Sequence, residues 1–443
     1  MQIIVAGGGL AGLTAALRGI ELGARVTLIE KGIRLGGSFI YSSGYIWSYN
    51  DLPAYRREAP GGDPTLQSLI LQRLKPGLDW LERSTHPATT RETGNPLTFG
   101  ARFDPESTVS ALAERIEASG GRIFLGAALE ELLQNAGGHV TGVRFSSDRE
   151  EHEQPPDAVV LASGGFGGNA ELVGRYIIQG PGQMRLRANP WSTGDGFLAA
   201  LTAGALESNS LDEFYGRNLP APPARFSPEQ FVEVSQLYGR YAVAINANGQ
   251  RYTDEAADWS ETALTRATAR QPDLHAWYVL DAASLESRIR ERTAKDMVET
   301  ARRAGGTVLE APALEDLADR LAGHGVPRDE VLHTLDEYNA AVAIGSGREL
   351  TPPRTGPAAP VRVPPFVAVK VAPSITHTVG GLAVDGGCRV LRRADKQPIP
   401  GLYAAGVEAG GVSTGGYTSG LASALVFGNV AAESALRDGE ISR

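Results

Sequence analysis

The first thirty residues combine an apolar run, a glycine-rich turn and a helical pattern, and they constrain the fold more than any other segment. They read IIVAG, then GGLAGLTAALRGIELGA, then RVTLIE, which the periodicity predicts as a strand, a helix and a second strand. Between strand and helix, Gly7, Gly9 and Gly12 stand in GxGxxG spacing. Glycines there permit a tight turn, a close approach of backbone to a pyrophosphate and close helix–strand packing.

Glu30 ends the second predicted strand. An acid in this position accepts hydrogen bonds from the ribose hydroxyls of a bound dinucleotide, while the N-terminus of the helix faces its phosphates. A glycine-rich turn by itself is also compatible with a purely structural role. Strand, glycines, helix and terminal acid together predict a dinucleotide site.

Three further segments favour FAD over NAD. EKGIRLGGS contains a glycine doublet, DAVVLASGGFGG is an apolar strand that ends in a small-residue turn from Ala162 to Gly165, and PGLYAAGVEAGG reaches Gly406 and then Glu408. FAD is long and is contacted by backbone along its length, so small residues recur at several strand ends. Because only one complete GxGxxG unit is present, we expect no second nucleotide domain through which NADPH would reduce the flavin.

The composition of the chain excludes several other kinds of protein. A chain of 443 residues with 42% hydrophobic residues is long enough for two domains. The net charge of −9 leaves no basic excess for nucleic acid. Cys388 is the only cysteine, which excludes disulfides, cysteine-rich zinc sites and cysteine-ligated clusters. With no basic leader and no apolar run near the roughly 18 residues that cross a bilayer, we expect a cytoplasmic protein without a transmembrane segment.

In these motifs the chain resembles the flavoprotein family that includes fumarate reductase and succinate dehydrogenase flavoprotein subunits, tricarballylate dehydrogenase and the 3-ketosteroid dehydrogenases. The matching segments include VAGGGLAG, SSGYIW, VVLASGGFGGN, STGDGFLAALTAGA, INANGQRYTDE, YNAAVAIG, ITHTVGGL and GLYAAGVEAGG. The resemblance implies an α/β fold in which a Rossmann-like, glutathione-reductase-like FAD-binding domain carries an inserted α+β capping domain for the substrate.

Two Pro-rich passages, RNLPAPPARFSPEQ and LTPPRTGPAAPVRVPPF, bound a region of amphipathic helical patterns. We interpret them as hinges, although surface loops within one domain are an alternative. The expected FAD-binding domain therefore comprises residues 1–207 and 363–443, and the expected cap comprises residues 208–362.

The resemblance also implies which residues contact FAD. In the N-terminal part they are Gly7, Gly9, Gly12, Glu30, Lys31, Gly36, Gly37, Ser38, Ser42, Ser43 and Gly44. In the rest of the chain they are Ala128, Ala162, Ser163, Gly164, Asp195, Gly406, Glu408, Ser423 and Leu425. FAD is the one cofactor that we expect, and no metal is implied.

Members of this family interconvert a CH–CH unit and a C=C bond next to a carbonyl or carboxylate. The chemistry requires donors that polarise the carbonyl oxygen and one residue that transfers a proton. Because the chain has no haem or cluster motif, we expect an external electron acceptor or donor, such as a quinone, an electron-transfer protein, a dye or oxygen.

Fumarate reductases hold a dicarboxylate with a histidine in an HxTMGG-type segment and an arginine in a C-terminal glycine-rich loop. This chain has ITHTVGG and GGVSTGGYTSG instead. Thr376 takes the usual histidine position and His377 follows it, and no arginine lies between Val412 and Val430. Since strand neighbours face opposite sides, His377 either faces substrate or is hydrogen-bonded in the domain interface.

Tyr417 stands in place of the missing arginine. Its loop is similar to the loop of ketosteroid dehydrogenases that addresses a ketone. The resemblance implies Tyr417 as hydrogen-bond donor or proton carrier and Gly420 as an oxyanion-side amide, with Ser419 between them. The alternative is a ring that packs against the flavin while its hydroxyl has no role.

The cap offers further candidates. Tyr215 and Arg217 lie in DEFYGRNLPAPP, Arg240 and Tyr241 in QLYGRYAVAI, and Arg354 in LTPPRTGP. Arg354 is the strongest of these, because the family's proton-shuttling arginine stands near the point where the cap returns to the FAD domain. The alternative is a solvated or salt-bridged linker arginine. Tyr215, Tyr241 and Arg354 are therefore predicted to be catalytic.

The sequence favours an FAD-dependent dehydrogenase that introduces a C=C bond α,β to the carbonyl of a cyclic ketone, either steroid-like or smaller. An alternative is an ene-reductase or dehydrogenase of a carboxylic acid, of the fumarate reductase or tricarballylate dehydrogenase type. FYGRNLPAPPARF resembles tricarballylate dehydrogenase relatives and favours that alternative. A third hypothesis is a flavin-binding protein without catalytic activity.

Overall fold

The computed structural model describes residues 1–147, 150–180, 184–356 and 358–441. In these residues the chain forms two compact units. Unit 1 comprises Met1–Ile177, Ala188–Phe214 and His377–Arg443, and unit 2 comprises Ile178–Arg187 and Tyr215–Thr376. No helix among the described residues is both long enough and apolar enough to span a bilayer.

The secondary structure alternates strands and helices along most of the chain. The strands are β1 Gln2–Ala6, β2 Arg25–Glu30, β3 Tyr45–Tyr49, β4 Thr98–Arg102, β5 Arg122–Leu125, β6 Ala128–Gln134, β7 Val140–Ser147, β8 Glu150–Gln154, β9 Ala158–Leu161, β10 Arg185–Leu186, β11 Phe214–Tyr215, β12 Asn218–Pro220, β13 Val243–Ile245, β14 Ala276–Leu280, β15 Arg288–Ile289, β16 Arg292–Thr293, β17 Val308–Ala311, β18 Phe366–Ile375, β19 His377–Thr378, β20 Arg389–Leu391 and β21 Pro398–Ala404. The helices are α1 Leu10–Glu21, α2 Leu52–Glu58, α3 Pro64–Ser84, α4 Pro105–Ala118, α5 Ala170–Tyr176, α6 Asp195–Thr202, α7 Phe231–Val234, α8 Thr262–Thr268, α9 Ala282–Leu285, α10 Ala294–Arg303, α11 Leu314–Ala322, α12 Arg328–Ala343 and α13 Gly420–Ile441.

Unit 1 is built on a six-stranded sheet in the order β20-β21-β9-β1-β2-β5. Its strands run parallel except β20, which is antiparallel to β21. β1 is central and β9 is buried throughout, as expected of parallel strands covered on both faces. Helices α1 and α13 pack against each other, and Gly428 permits the approach, because a Cβ there would lie 2.6 Å from the Ala11 carbonyl oxygen. The predicted Rossmann-like α/β fold is confirmed.

Unit 2 is built on a mixed sheet in the order β10-β18-β14-β13, with β12 and β17 also paired to β18. Alternate residues of its strands face opposite sides. Trp277 and Val279 pack with the apolar faces of α11 and α12, whereas Tyr278 and Leu280 pack on the other side with residues of α8 and α10. The sheet is therefore covered by helices on both faces.

The unit boundaries lie elsewhere than the Pro-rich passages suggested. Residues 208–362 were the expected cap, whereas unit 2 extends to Thr376 and also includes Ile178–Arg187. The physical reason is β18, which follows the second Pro-rich passage and is the strand to which β10, β12, β14 and β17 are hydrogen-bonded. We retain as a proposal that unit 1 is the FAD-binding domain and unit 2 the capping domain.

Candidate functional site

The turn between β1 and α1 forms a cradle that only glycines fit. Gly7 has a φ of +116°, and a Cβ on it would lie 2.2 Å from the carbonyl oxygen of Ala162 at the end of β9. A Cβ on Gly12 would lie 1.8 Å from the carbonyl oxygen of Gly7. The backbones of β1, α1 and β9 thus approach one another closely, leaving the N-terminus of α1 open to a phosphate group.

Glu30, the last residue of β2, is hydrogen-bonded to this turn. Its carboxylate accepts one hydrogen bond from the Gly8 N–H at 2.6 Å and one from the Gly32 N–H at 2.6 Å. Burial raises the pKa of Glu30, and these two backbone hydrogen bonds oppose the shift. A buried carboxylate at this place is suited to ribose hydroxyls, and this role of Glu30 stays a prediction.

Glu408 holds the turn that follows β9. It accepts hydrogen bonds from the Ser163 hydroxyl at 2.6 Å and from the Gly165 N–H at 3.3 Å. Its other oxygen, Oε1, is buried and has no hydrogen-bond partner among the described residues. Burial raises the pKa of this carboxyl, and the Ser163 hydrogen bond lowers it. A buried carboxylate oxygen without a donor fits a bound group that supplies one.

Polar contacts join the segment after β2, residues 31–38, to the segment before and at the start of α6, residues 189–195. The Lys31 ammonium forms an ion pair with Asp195 at 2.9 Å and donates to the Thr193 hydroxyl at 2.6 Å. The Ser38 hydroxyl accepts from the Asn189 N–H at 3.1 Å. The ion pair therefore holds Asp195, the first residue of α6, against Lys31.

The remaining predicted FAD residues also lie in unit 1. Gly9 and Gly36 form an isolated parallel bridge, and a Cβ on Gly37 would lie 3.1 Å from the Gly9 Cα. The Ser42 hydroxyl accepts from the Gly44 N–H at 3.0 Å. The others are Ser43 beside Arg102, Ala128 at the start of β6, Gly164 with φ +92°, Gly406 with φ +70°, and Ser423 and Leu425, buried in α13. Their roles toward FAD stay predictions, and the cradle and the Glu408 oxygen fit the cofactor.

The loop that carries Tyr417 precedes α13 and is fixed by unit 1. The Tyr49 hydroxyl donates to the Tyr417 carbonyl oxygen at 2.9 Å, and the Trp47 ring lies edge-on to the Tyr417 ring with centroids 5.7 Å apart. The Gly415 N–H donates to Glu213 at 3.0 Å. Tyr417 itself is half-buried, whereas Ser419 is buried. The loop thus combines a neutral tyrosine with a neighbouring carboxylate.

His377 belongs to β19 and lies beside Gly420, the first residue of α13. A Cβ on Gly420 would lie 3.0 Å from the imidazole Nε2, and Nδ1 is 3.0 Å from the Thr378 carbonyl oxygen. Because a carbonyl oxygen only accepts, Nδ1 carries the proton and Nε2 is the acceptor in the neutral ring. Within unit 1 the structure therefore brings His377 and Gly420 together.

Arg354 is not a solvated linker residue. Its side chain is 1% exposed, and its guanidinium lies 2.9 Å from the Glu255 carboxylate. Arg251 binds the same carboxylate at 2.7 Å, and Arg354 also donates to the Arg240 carbonyl oxygen. Two buried guanidinium groups of unit 2 thus bind the same carboxylate. Sequence reasoning missed Glu255, although it stands in the YTDE motif.

The two predicted tyrosines of unit 2 lie in different surroundings. Tyr215 is buried, and the Arg217 guanidinium lies 5.2 Å from its ring centroid. Tyr241 is half-buried, and Arg240 lies 5.9 Å from its ring. Tyr241 and Arg354 are therefore both neighbours of Arg240, one through its guanidinium and one through its carbonyl.

Glu261 is a second acid that the sequence did not reveal. It precedes α8 with a φ of +58°, a left-handed conformation that is strained for a residue with a side chain. It is 5% exposed, and its Oε1 has no hydrogen-bond partner among the described residues. Burial raises the pKa of Glu261 to about 7, with Arg217 opposing the shift. No local pattern in the sequence distinguishes it from exposed acids.

Comparison with known proteins gives a family match over most of the chain. Residues 2–423 match the family model described as FAD binding domain. The NADH:fumarate oxidoreductase of Klebsiella pneumoniae (strain 342) is 26% identical over 98% of this chain and 48% of its own length. The probable fumarate reductase Ifc3 of Shewanella frigidimarina (strain NCIMB 400) is 27% identical over 98% of this chain and 75% of its own length. The chain thus spans about half the length of the first of these relatives.

A solved structure has the same fold. The 3-ketosteroid Δ1-dehydrogenase from Sterolibacterium denitrificans, in complex with 1,4-androstadiene-3,17-dione, aligns with a TM-score of 0.78. The alignment covers 98% of this chain and 99% of that one at 18% sequence identity. At this identity the likeness concerns the fold alone.

We expect Glu30→Ala to weaken FAD retention by about 1 to 3 kcal/mol, the usual cost of leaving a buried polar group unpaired. The change also removes the acceptor of the Gly8 and Gly32 N–H groups. Equilibrium dialysis of FAD against the variant measures the effect. Glu117→Ala, on the exposed face of α4, is the control. Undiminished FAD affinity in Glu30→Ala would show that Glu30 does not bind the ribose.

We expect Glu261 to make the stability of the protein dependent on pH. The pKa of its carboxyl is about 7 in the folded state and 4.5 ordinarily, so the folded state holds the proton more tightly. This contribution is fully present below about pH 4.5 and is lost as the pH rises through 7. Glu261→Gln, which does not ionise, should melt at a higher temperature than the parent at pH 8 but not at pH 4.5.

Glu255→Gln is the matched control for this measurement. Glu255 is equally buried but pairs with Arg251 and Arg354, so its loss should lower the melting temperature at both pH values. A Glu261→Gln variant whose melting temperature follows that of the parent at every pH would contradict the assignment.

Proposed function

The chain belongs to the FAD-binding domain family, FAD is its cofactor, and from this premise we propose that it is an oxidoreductase acting on CH–CH groups. The proposed reaction interconverts a saturated CH–CH unit and a C=C bond next to a carbonyl, and the preferred substrate is a cyclic ketone that the enzyme dehydrogenates. Bound FAD supplies the acceptor for the hydride. The protein residues bind and orient the ketone, polarise its oxygen and accept the proton.

The observation that carries the ketone proposal is the charge of the Gly415–Gly420 loop. The loop presents a neutral tyrosine, Tyr417, and it is bonded to the carboxylate of Glu213. An anionic substrate group at this loop would lose water without meeting a cationic side chain of the loop. A neutral carbonyl oxygen has no such cost and accepts a hydrogen bond from a tyrosine hydroxyl.

The N-terminus of α13 supports the same role. The helix begins at Gly420, and the first N–H groups of a helix have no partners within the helix. The Ala422 and Ser423 N–H groups already donate to the Ser419 carbonyl oxygen, so the proposed contribution of the helix is the Gly420 amide and the positive end of the helix dipole, which favours negative charge on an oxygen. Tyr417 and the Gly420 amide are thus the proposed donors to a carbonyl oxygen whose charge rises in the transition state. His377, next to Gly420, is a further base with its Nε2 as proton acceptor.

A specific observation favours a carboxylic acid as the second candidate. Arg251 and Arg354 both bind the carboxylate of Glu255, and guanidinium groups are suited to recognising a carboxylate. The two relatives compared above are named for fumarate, a dicarboxylic acid. In this alternative Arg354 would be the proton donor, and the reaction would run as a reduction of the C=C bond.

We expect cyclic ketones to bleach the flavin absorbance when they are mixed anaerobically with the oxidised enzyme. Saturated acids and dicarboxylates should leave the absorbance unchanged, because the Tyr417 loop disfavours their charge. Bleaching by acids alone would support the second candidate and direct attention to Arg354. Bleaching by none of these compounds would contradict the dehydrogenase proposal.

We expect Tyr417→Phe to slow flavin reduction by roughly 10²- to 10⁴-fold, the range for one acid, base or oxyanion donor. The ring and its contact with Trp47 are kept, so the FAD content should not change. Stopped-flow absorbance with a substrate that reduces the parent measures the rate. Tyr45→Phe, which removes a hydroxyl from a half-buried tyrosine of β3, is the control. A Tyr417→Phe rate within about threefold of the parent would mean that the tyrosine is structural.

A further inference from the structure

Trp191 lies beside the carboxylate of Glu30. A Cβ on Gly32 would lie 2.7 Å from Cδ1 and 2.9 Å from Nε1 of the Trp191 indole. The same point lies 2.9 Å from Oε1 of Glu30. Gly32 has no positive φ, so its small size is required by space. The indole therefore lies directly against the backbone of Gly32, at the end of β2 where the ribose is expected.

The backbone of Trp191 is held in place on both sides. Its N–H donates to Asn189 Oδ1 at 3.2 Å, and its carbonyl oxygen accepts from the Thr193 N–H at 2.9 Å. Asn189 in turn donates from its N–H to the Ser38 hydroxyl at 3.1 Å. The indole is thus attached to a fixed segment rather than to a free loop.

The protein covers the Trp191 indole only in part. Trp191 is 41% exposed, so much of a large apolar surface remains in contact with water at a position beside a buried carboxylate. Aromatic side chains of this kind bind nucleotide bases by stacking, because every base presents a π face. Lys31, the residue after Glu30, forms an ion pair with Asp195 and donates to Thr193, whose N–H donates to the Trp191 carbonyl oxygen. The surroundings of the indole are therefore those expected for the adenosine part of a dinucleotide.

We propose that Trp191 is a cofactor-binding residue whose indole contacts the adenosine end of FAD and thereby favours FAD over FMN. Gly32 is the residue that makes room for it. The proposal depends on FAD as cofactor and is independent of the substrate and of the direction of the reaction.

The test is the release and rebinding of flavin by the full-length protein. Trp191→Ala should release FAD about tenfold faster than the parent when the holoprotein is diluted, as followed by the rise in flavin fluorescence, because loss of one base–aromatic contact has an effect of this order. Trp191→Phe, which keeps an aromatic ring, should remain within about threefold of the parent. Leu97→Ala is the control, since Leu97 is 40% exposed in the same unit and should leave release unchanged.

FMN, which lacks the adenosine, separates a direct contact from a general effect. After removal of the bound flavin, Trp191→Ala should bind FMN as tightly as the parent does, while its affinity for FAD falls. Unchanged FAD release in Trp191→Ala would overturn the proposal. Equal weakening of FAD and FMN would also overturn it, because the residue would then act through the fold and not through the adenosine.

Discussion

The close backbone contact among β1, α1 and β9 is the constraint on which the rest of unit 1 depends. A Cβ on Gly7 would lie 2.2 Å from the Ala162 carbonyl oxygen, and one on Gly12 would lie 1.8 Å from the Gly7 carbonyl oxygen. No side chain of any kind fits at these two positions. The contact sets the distance between the central strand and α1, and it leaves the N–H groups at the start of α1 available for a phosphate. Glu30 then joins β2 to the same turn through the Gly8 N–H.

Buried carboxylates are stabilised by different kinds of group in the two units. In unit 1 each buried carboxylate of the FAD site is stabilised by dipoles: Glu30 by two backbone N–H groups, and Glu408 by one backbone N–H and one hydroxyl. In unit 2 the buried Glu255 is stabilised by two full positive charges, those of Arg251 and Arg354. Neutral dipoles leave room for a ligand to add its own donors without displacing a cation. An ion triad instead fixes its members firmly, since removal of one would leave an uncompensated buried charge.

Sequence patterns predicted the elements whose signals are local. The glycine spacing, the acid at the end of β2 and the alternation of strands and helices indicated the FAD-binding fold, because each depends on neighbours in the chain. Glu261 was missed because its burial comes from distant segments, and β18 was placed outside the cap because its partners lie elsewhere in the sequence. Trp191 was missed for the same reason, since its contact with Gly32 joins two separate segments. Long-range contacts of this kind leave no periodic signal.

The Tyr417 loop gives the strongest argument about which group a substrate presents there. The loop from Gly415 to Gly420 carries no cationic side chain, so a substrate carboxylate would find no ion pair on it. The Gly415 N–H already donates to the Glu213 carboxylate, so it is not a free donor for a substrate anion. In the proposed reaction, negative charge develops on the ketone oxygen, and Tyr417 and the N-terminus of α13 are the proposed donors to it. Donors that meet charge only as it develops would act on the transition state more than on the bound substrate, which is what rate enhancement requires.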